Sequence, residues 1–273
     1  MRFLFWNTLN NDVYPHLAKV AATMDVELIG LAESQFPPSY IIDELNKGRS
    51  GISRFRSLYA DDAQGLHLVG TLPNMFVKLL VEEKRFVIFE VKPPGQTPVI
   101  ACLLHLPSKL HASAGKQRDM AENVVERIEE AERASGHART VIFGDFNMNP
   151  FEDGMMSFRA FNSTIHVDVI ERLSGQRTLN SKKRSMFYNP MAKASFRDGA
   201  ARGTYYYHDN DDVVHYWNLF DQALVRPELS PLLVKDDVRI IDKIGGVSLL
   251  TAKGIPDSKI SDHLPIMFGF NLN

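Results

Sequence analysis

Thr140-Val141-Ile142-Phe143-Gly144-Asp145-Phe146-Asn147-Met148-Asn149-Pro150-Phe151 reads as a buried strand that runs into a polar corner. Val141, Ile142 and Phe143 form a short apolar run of β-branched and aromatic residues, of the kind that fills the interior of a sheet. Gly144 allows another group to approach the backbone closely, and Pro150 ends any regular ladder. Between them lie one carboxylate and two amides, so the strand delivers polar side chains to its own end.

Two ordinary explanations compete for Asp145, Asn147 and Asn149. Asp and Asn are common turn residues, because they tolerate left-handed backbone angles and bond to their own main chain. The spacing Asp-x-Asn-x-Asn also copies the first half of a calcium-binding EF-hand loop. That second explanation fails at its defining positions: the sixth is Pro150 where a glycine is needed, and the twelfth is Met156 where a bidentate glutamate is needed.

At 273 residues with 44 % apolar content, the chain can build a sizeable core as one α/β or sandwich unit. No apolar run approaches the length of a membrane span, and Met1 to Trp6 has neither a basic leader nor a small-residue cleavage site. The expectation is one domain over residues 1–273, soluble and cytoplasmic, with no stable membrane association. The single cysteine, Cys102, lies within the apolar run Val99 to Leu104 and is expected to be a buried bystander. A formal charge of -2 excludes a generally basic, nucleic-acid-coating surface but leaves room for a local basic groove.

Outward from the corner, the chain alternates strand and helix. Arg2 to Asn7 is an apolar strand ending in an amide, followed by an amphipathic helix through Val13, Leu17, Val20, Ala21 and Met24 that Asn10, Asn11 or Asp12 can cap. Val26 to Leu31 is a second strand, and Glu33 stands just past it. If these two strands pair in parallel, Asn7 and Glu33 meet at neighbouring strand ends. Ser39 to Asn46 reads as a short helix stopped by Gly48, and the five strand-like runs between Arg54 and Leu106 read as an antiparallel meander. The last of these places His105 at the far end of an apolar strand. Ser113 to Ser135 is the clearest helix, with Ala121, Val124, Val125, Ile128 and Ala131 on one face and Gly136 as its stop.

Beyond the corner, Asp153 to Phe161 is expected to be a short helix and Ser174 to Gly203 a long loop. The loop carries Lys182-Lys183-Arg184 and then Phe187-Tyr188-Asn189-Pro190; basic residues beside aromatics suit a phosphate-rich ligand, although such charges also occur on ordinary solvated loops. Lys182, Lys183, Arg184 and Asn189 are therefore candidate substrate contacts. Thr204 to Tyr207, Leu219 to Val225, Val238 to Ile244 and Leu264 to Leu272 read as strands. Asp221 interrupts the second of these and needs a partner if buried.

The polar residues at strand ends are thus Asn7, Glu33, His105, Asp145, Asn147, Asp221, Asp262 and His263. Their arrangement resembles the endonuclease/exonuclease/phosphatase superfamily, whose fold is shared by DNase I-like nucleases and inositol-polyphosphate phosphatases. The matching pieces are Trp6-Asn7, Ala32-Glu33, His105-x-Pro107, Gly144-Asp145-Phe146-Asn147, Phe220-Asp221-Gln222 and Ser261-Asp262-His263-x-Pro265, in the family's order. The resemblance implies an α/β fold, a four-layer α-β-β-α sandwich of two mixed β-sheets covered by helices. It also implies phosphoester hydrolysis with Mg²⁺ or Mn²⁺. A hard cation takes oxygen ligands, which Glu33, Asp262 and Asn7 can supply. The resemblance further implies an Asp221–His263 pair, Asp145 at the attacking water, Asn147 on a phosphate oxygen and His105 at the phosphoryl group or its leaving side.

Two departures bear on the substrate. Abasic-site endonucleases carry an aspartate where this chain has Leu9 and usually a tyrosine where it has His105. The resulting expectation is a nuclease acting on DNA or RNA. A phosphatase or phosphodiesterase for a lipid headgroup or small metabolite is the alternative, and a binding module that lost activity is a third reading. Nothing in the sequence fixes the oligomeric state.

Overall fold

The structure is a computed structural model that describes residues 1–51, 54–61, 63–196, 201–209 and 214–273. The first half of the chain forms β1 (Arg2–Asn7), α1 (Tyr14–Thr23), β2 (Leu28–Ala32), α2 (Pro38–Asn46), β3 (Arg56–Asp61), β4 (Leu66–Gly70), β5 (Val77–Glu83), β6 (Phe86–Val91), β7 (Val99–His105), α3 (Ala114–Ser135) and β8 (Thr140–Asp145). The second half adds α4 (Asp153–Met156), β9 (Ser163–Thr164), α5 (Val167–Arg172), β10 (Gln176–Leu179), β11 (Lys182–Ser185), β12 (Phe187–Tyr188) and α6 (Met191–Ser195). It closes with β13 (Tyr205–Tyr206), β14 (Trp217–Asn218), β15 (Asp221–Val225), β16 (Arg239–Ile240), β17 (Lys243–Ile244), β18 (Val247–Ser248) and β19 (Ile266–Gly269).

Two mixed sheets carry the fold. One runs β16-β19-β1-β2-β4-β3 and the other β5-β6-β7-β8-β15-β12-β9. Period-two alternation explains why their central strands are apolar throughout. In β7, Val99, Ala101 and Leu103 join the core between the sheets, while Ile100, Cys102 and Leu104 face the core under α3. In β8, Val141 and Phe143 point inward and Ile142 outward. The Phe143 ring meets Phe3 of the opposite sheet at 5.7 Å between centroids, which marks the sandwich interior. Ala121, Val124, Val125 and Ile128 of α3 cover the outer face, capped by Ser113 at one end and by left-handed Gly136 at the other. The four-layer arrangement expected from the sequence is the one observed. Cys102 is fully buried and burial pushes its thiol up, as befits a bystander.

Several local expectations need correction. The runs between Arg54 and Leu106 are divided between the sheets: β3 and β4 extend the first sheet through β2, while β5, β6 and β7 belong to the second. Apolar alternation marks a strand but carries no label for its sheet. The Ser174 to Gly203 stretch contains the β10–β11 hairpin, β12 and α6, with positions 197–200 outside the described residues. The hairpin turn, Asn180-Ser181, has both φ values positive, a geometry more often announced by Asn-Gly. The helix after Pro150 is the single turn α4, and Val238 to Ile244 splits into β16 and β17. None of Asn10, Asn11 or Asp12 caps α1: Asn11 donates to the Ser258 and Ile260 carbonyls, and Asp12 accepts from the Tyr40 hydroxyl.

Register, more than sheet count, creates the site. β1 and β2 pair in parallel with Asn7 opposite Ala32, which leaves Glu33 as the next residue along. β7 and β8 pair in parallel with His105 opposite Asp145, and β15 runs antiparallel to β8 with Asp221 opposite Asp145. Four strand ends and one strand start therefore open on the same edge of the sandwich.

Candidate active site

Gly144 is the first requirement of the corner. Its φ is +147°, and a Cβ there would lie 2.0 Å from the Leu104 carbonyl oxygen, so the close backbone approach expected of this glycine is real. Asp145 follows, 1 % exposed. Its Oδ1 accepts the Asn147 N–H at 2.8 Å, an Asx turn that holds Asn147 at φ +52°. The Asn147 amide donates to the Leu106 carbonyl, and Gln117 of α3 donates to the carbonyls of both Pro107 and Asn147. Turn chemistry and site construction are thus the same set of bonds. Asn149 works apart from them, for its side chain donates to Asn218 Oδ1 and accepts the Leu219 N–H, tying the corner to the start of β15.

Asn7 bridges the two sheets. Its Nδ2 donates to Glu33 Oε1 at 3.0 Å and to Asp145 Oδ2 at 3.1 Å. His105 Nε2 lies 3.5 Å from Glu33 Oε1 and 3.8 Å from Asp145 Oδ2. The C-terminal turn is fastened onto β1: Ser261 Oγ donates to the Asn7 carbonyl, the His263 N–H donates to Ser261 Oγ, and the Trp6 indole donates to the His263 carbonyl at 2.9 Å. Those bonds aim His263 at Asp221, with Nδ1 to Oδ2 at 2.7 Å, and leave Nε2 4.0 Å from Asp145 Oδ2. All eight strand-end residues singled out from the sequence thus meet at one edge of the sandwich, and most of them line one cavity of about 610 Å³.

The electrostatics follow from burial and crowding. Burial pushes the Asp221 carboxyl up, against the pull of His263. For His263, burial opposes the charged form, but the charge and hydrogen bond of Asp221, with Asp145 and Asp262 behind it, prevail and push the imidazole up to about 10. The pair thus favours the protonated, charged form of the ring. Burial also raises Asp262, with Glu33 and Asp145 adding to the shift and His263 opposing it. Tyr205, whose ring centre lies 4.8 Å from that of His263, is raised by burial and by Asp262, Asp145 and Glu33.

This donor set fits a hard divalent cation. Asp262 Oδ1 is buried without a hydrogen-bond partner, and Glu33, Asp145 and Asp262 repel one another across the same space. A cation at Glu33 and Asp262 would relieve both. Asp145, Asp221 and His263 also converge within 4.8 Å. There, however, the facing atoms of Asp221 and His263 already satisfy each other.

The substrate contacts proposed from the sequence lie elsewhere. Asn189 is fully buried, and its amide donates to Gln222 Oε1 at 2.6 Å, a core role incompatible with touching a ligand in the site. Lys182, Lys183 and Arg184 lie on β11 and line a different cavity with Glu122, Glu126 and Arg159. Arg184 is already engaged by Glu129 and the Arg159 carbonyl. Sequence reasoning missed Arg85, Lys109 and His111, which do line the cavity at the strand ends. Each sits in a polar turn or loop, where a cation carries no sign of what it faces.

No family model matches the chain, and no curated protein matches it in sequence. Solved structures do. TDP2 of D. rerio, in complex with a single-strand DNA product, superposes with a TM-score of 0.56 at 17 % identity, over 99 % of this chain and 98 % of that one. Truncated TDP2 of Caenorhabditis elegans gives 0.57 at 13 % identity over 98 % and 96 %. An endonuclease/exonuclease/phosphatase family protein of Leptotrichia buccalis C-1013-b gives 0.51 at 14 % identity over the full length of both chains. The chain therefore shares the fold of these structures, a DNase I-like sandwich. Among the described residues, no helix is long and apolar enough to cross a membrane.

Proposed function

We propose that this chain is a divalent-metal-dependent phosphoester hydrolase that cleaves phosphodiester bonds in DNA or RNA. The observation that carries the reading is the convergence, at one edge of the sandwich, of the Asp221–His263 pair at 2.7 Å with Asp145 and the Glu33–Asn7–Asp145 bridge. The likeness to a TDP2 structure that holds a single-strand DNA product favours a nucleic-acid substrate.

Glu33 and Asp262 would hold Mg²⁺ or Mn²⁺, with Asn7 keeping the Glu33 carboxylate in place. When bound, the cation supplies charge to offset the phosphoryl oxygens in the transition state. Asp145, fixed by the Asn7 amide and the Asn147 N–H, orients the attacking water and takes its proton. Water oxygen bonds to phosphorus as the bond to the leaving oxygen breaks. His263, charged and held by Asp221, donates through Nε2 to a phosphoryl oxygen, a preorganised electrostatic contact. The second N–H of the Asn147 amide is available to another phosphoryl oxygen. His105 stands beside Glu33 and Asp145 to donate to the leaving side.

The deciding experiment is a substrate panel of single- and double-stranded DNA, RNA and phosphomonoesters, each with Mg²⁺, Mn²⁺ or EDTA. Polynucleotide cleavage that needs the metal and weakens as salt rises is expected, since phosphate contacts are screened. Hydrolysis confined to phosphomonoesters would replace the nuclease reading with a phosphatase one, and metal-independent turnover would remove the proposed metal role.

A further inference from the structure

Arg85 lines the catalytic cavity but has no part in the machinery described above. It closes the turn between β5 and β6, and its carbonyl accepts the His105 N–H at 2.9 Å, so the turn is pinned against the strand end that carries His105. The side chain is half-buried. Among the described residues its guanidinium makes no hydrogen bond and no ion pair, although Glu33, Asp145 and Asp262 line the same cavity.

Other arginines around this sheet behave differently: Arg226 is held by Glu132, Arg184 of the β10–β11 hairpin by Glu129, and Arg127 of α3 by Glu83 and Glu130. Lys109, a second cation in the cavity wall, is held by Glu152 and lies 5.2 Å over the Phe220 ring. Arg85 thus brings a planar fork of donors, unspent, to a cavity that Glu33, Asp145 and Asp262 also line. That fork matches a phosphate, which it can bind through two parallel hydrogen bonds. No hydrogen bond or ion pair ties it to Glu33 or Asp262, the carboxylates proposed to meet the cation and with it the scissile phosphate. A cavity of about 610 Å³ has room for more than one phosphate.

We infer that Arg85 forms a second phosphate subsite, which takes the phosphate next to the scissile one on a polynucleotide strand. The inference rests on the hydrolase reading above and narrows it: the preferred substrate has at least two phosphates in sequence, so an isolated phosphodiester is a poor one.

The test uses a dinucleoside with one phosphodiester and the same molecule with an added 5′ or 3′ terminal phosphate, presented to the wild-type chain, Arg85→Ala and Arg85→Lys. Two readouts are taken for each: kcat/KM with Mn²⁺, and Kd in EDTA. The wild type is expected to prefer a two-phosphate molecule by about tenfold or more, the scale of charge-assisted hydrogen bonds. Arg85→Ala should lose that preference, and Arg85→Lys should keep part of it, because a point charge lacks the fork. Whichever of the 5′ and 3′ arms carries the preference gives the direction in which the strand lies. A preference that survives in Arg85→Ala overturns the subsite, as does an equal loss on every substrate, which would place Arg85 on the scissile phosphate or in folding. If the wild type hydrolyses none of these molecules, the hydrolase reading fails by itself, and the Kd ratio in EDTA still decides the subsite by the same criterion.

Discussion

The strand-end cavity and the β10–β11 hairpin both offer charge to solvent, but they differ in how that charge is held. At the strand ends, carboxylates from β8, β15, the residue after β2 and the C-terminal turn converge from positions far apart in the chain, and Asp221 and Asp262 each keep a buried oxygen without a partner. On the hairpin, adjacent basic residues come from one short stretch and are partly neutralised, Arg184 by Glu129, beside a cavity that Glu122 and Glu126 also line. Unsatisfied charge gathered at structural expense marks a site better than a run of like charges does, because burying polar atoms without partners costs stability unless a ligand completes them.

The largest expected contrast between the two regions is catalytic. Asp145→Ala and His263→Ala should each lower kcat/KM on a polynucleotide by on the order of a thousandfold, as expected when a proton-transfer or preorganised electrostatic group is removed. Circular dichroism on the same preparations checks that the fold survives. Activity within tenfold of wild type in a folded variant would take the strand ends out of the chemistry.

The second contrast lies in stability. Arg226, fully buried on β15's flank, is held by Glu132 at 2.9 Å, donates to the Ser185 carbonyl at the end of β11 and stacks 3.9 Å over the Phe187 ring. Glu132→Ala strands that cation in the interior and should cost about 3–5 kcal/mol in urea unfolding. Activity per folded molecule should hardly change. A loss of turnover without a loss of stability would show the two regions to be coupled.

Much of this arrangement is legible in the sequence, and the reason is physical. Val141 to Asn149 states both its burial and its end, because an apolar strand cannot carry Asp145 and Asn147 further inward. Parallel pairing of β1 with β2 then follows from the intervening helix, and it brings Asn7 and Glu33 together. Other features leave no such trace. β4 and β5 have similar patterns but belong to different sheets. Asn189 looks like a ligand contact because it follows basic and aromatic residues, yet its amide is consumed by Gln222 in the core. Arg85 reads as one more charge in a polar turn, and only the register of β6 against β7 shows that the turn abuts His105.

A smaller effect sharpens the electrostatic side of the comparison. In the metal-free protein, His263 should titrate near 10, followed by its imidazole resonances. Asp221→Asn removes the main source of that upward shift, leaving burial, which favours the neutral ring, opposed only by Asp145 and Asp262. The midpoint should therefore fall toward the ordinary imidazole range, and a midpoint that stays near 10 would mean that Asp221 is not what holds the charge. The smallest effect belongs to the hairpin: Lys182→Ala with Lys183→Ala should alter polynucleotide cleavage by about twofold or less, the scale of screened surface charges. A tenfold loss in kcat/KM would restore the hairpin as a ligand contact.

The most direct test of a single shared site is a double-mutant cycle on Asp145 and His263, read as kcat/KM for one oligonucleotide with Mn²⁺. Groups that act as one unit lose their function once, so Asp145→Ala combined with His263→Ala should be about as inactive as the worse single variant. Losses that multiply, with the double variant lower by the product of the two singles, would mean that the residues act independently and that their convergence at this sheet edge is not one active site.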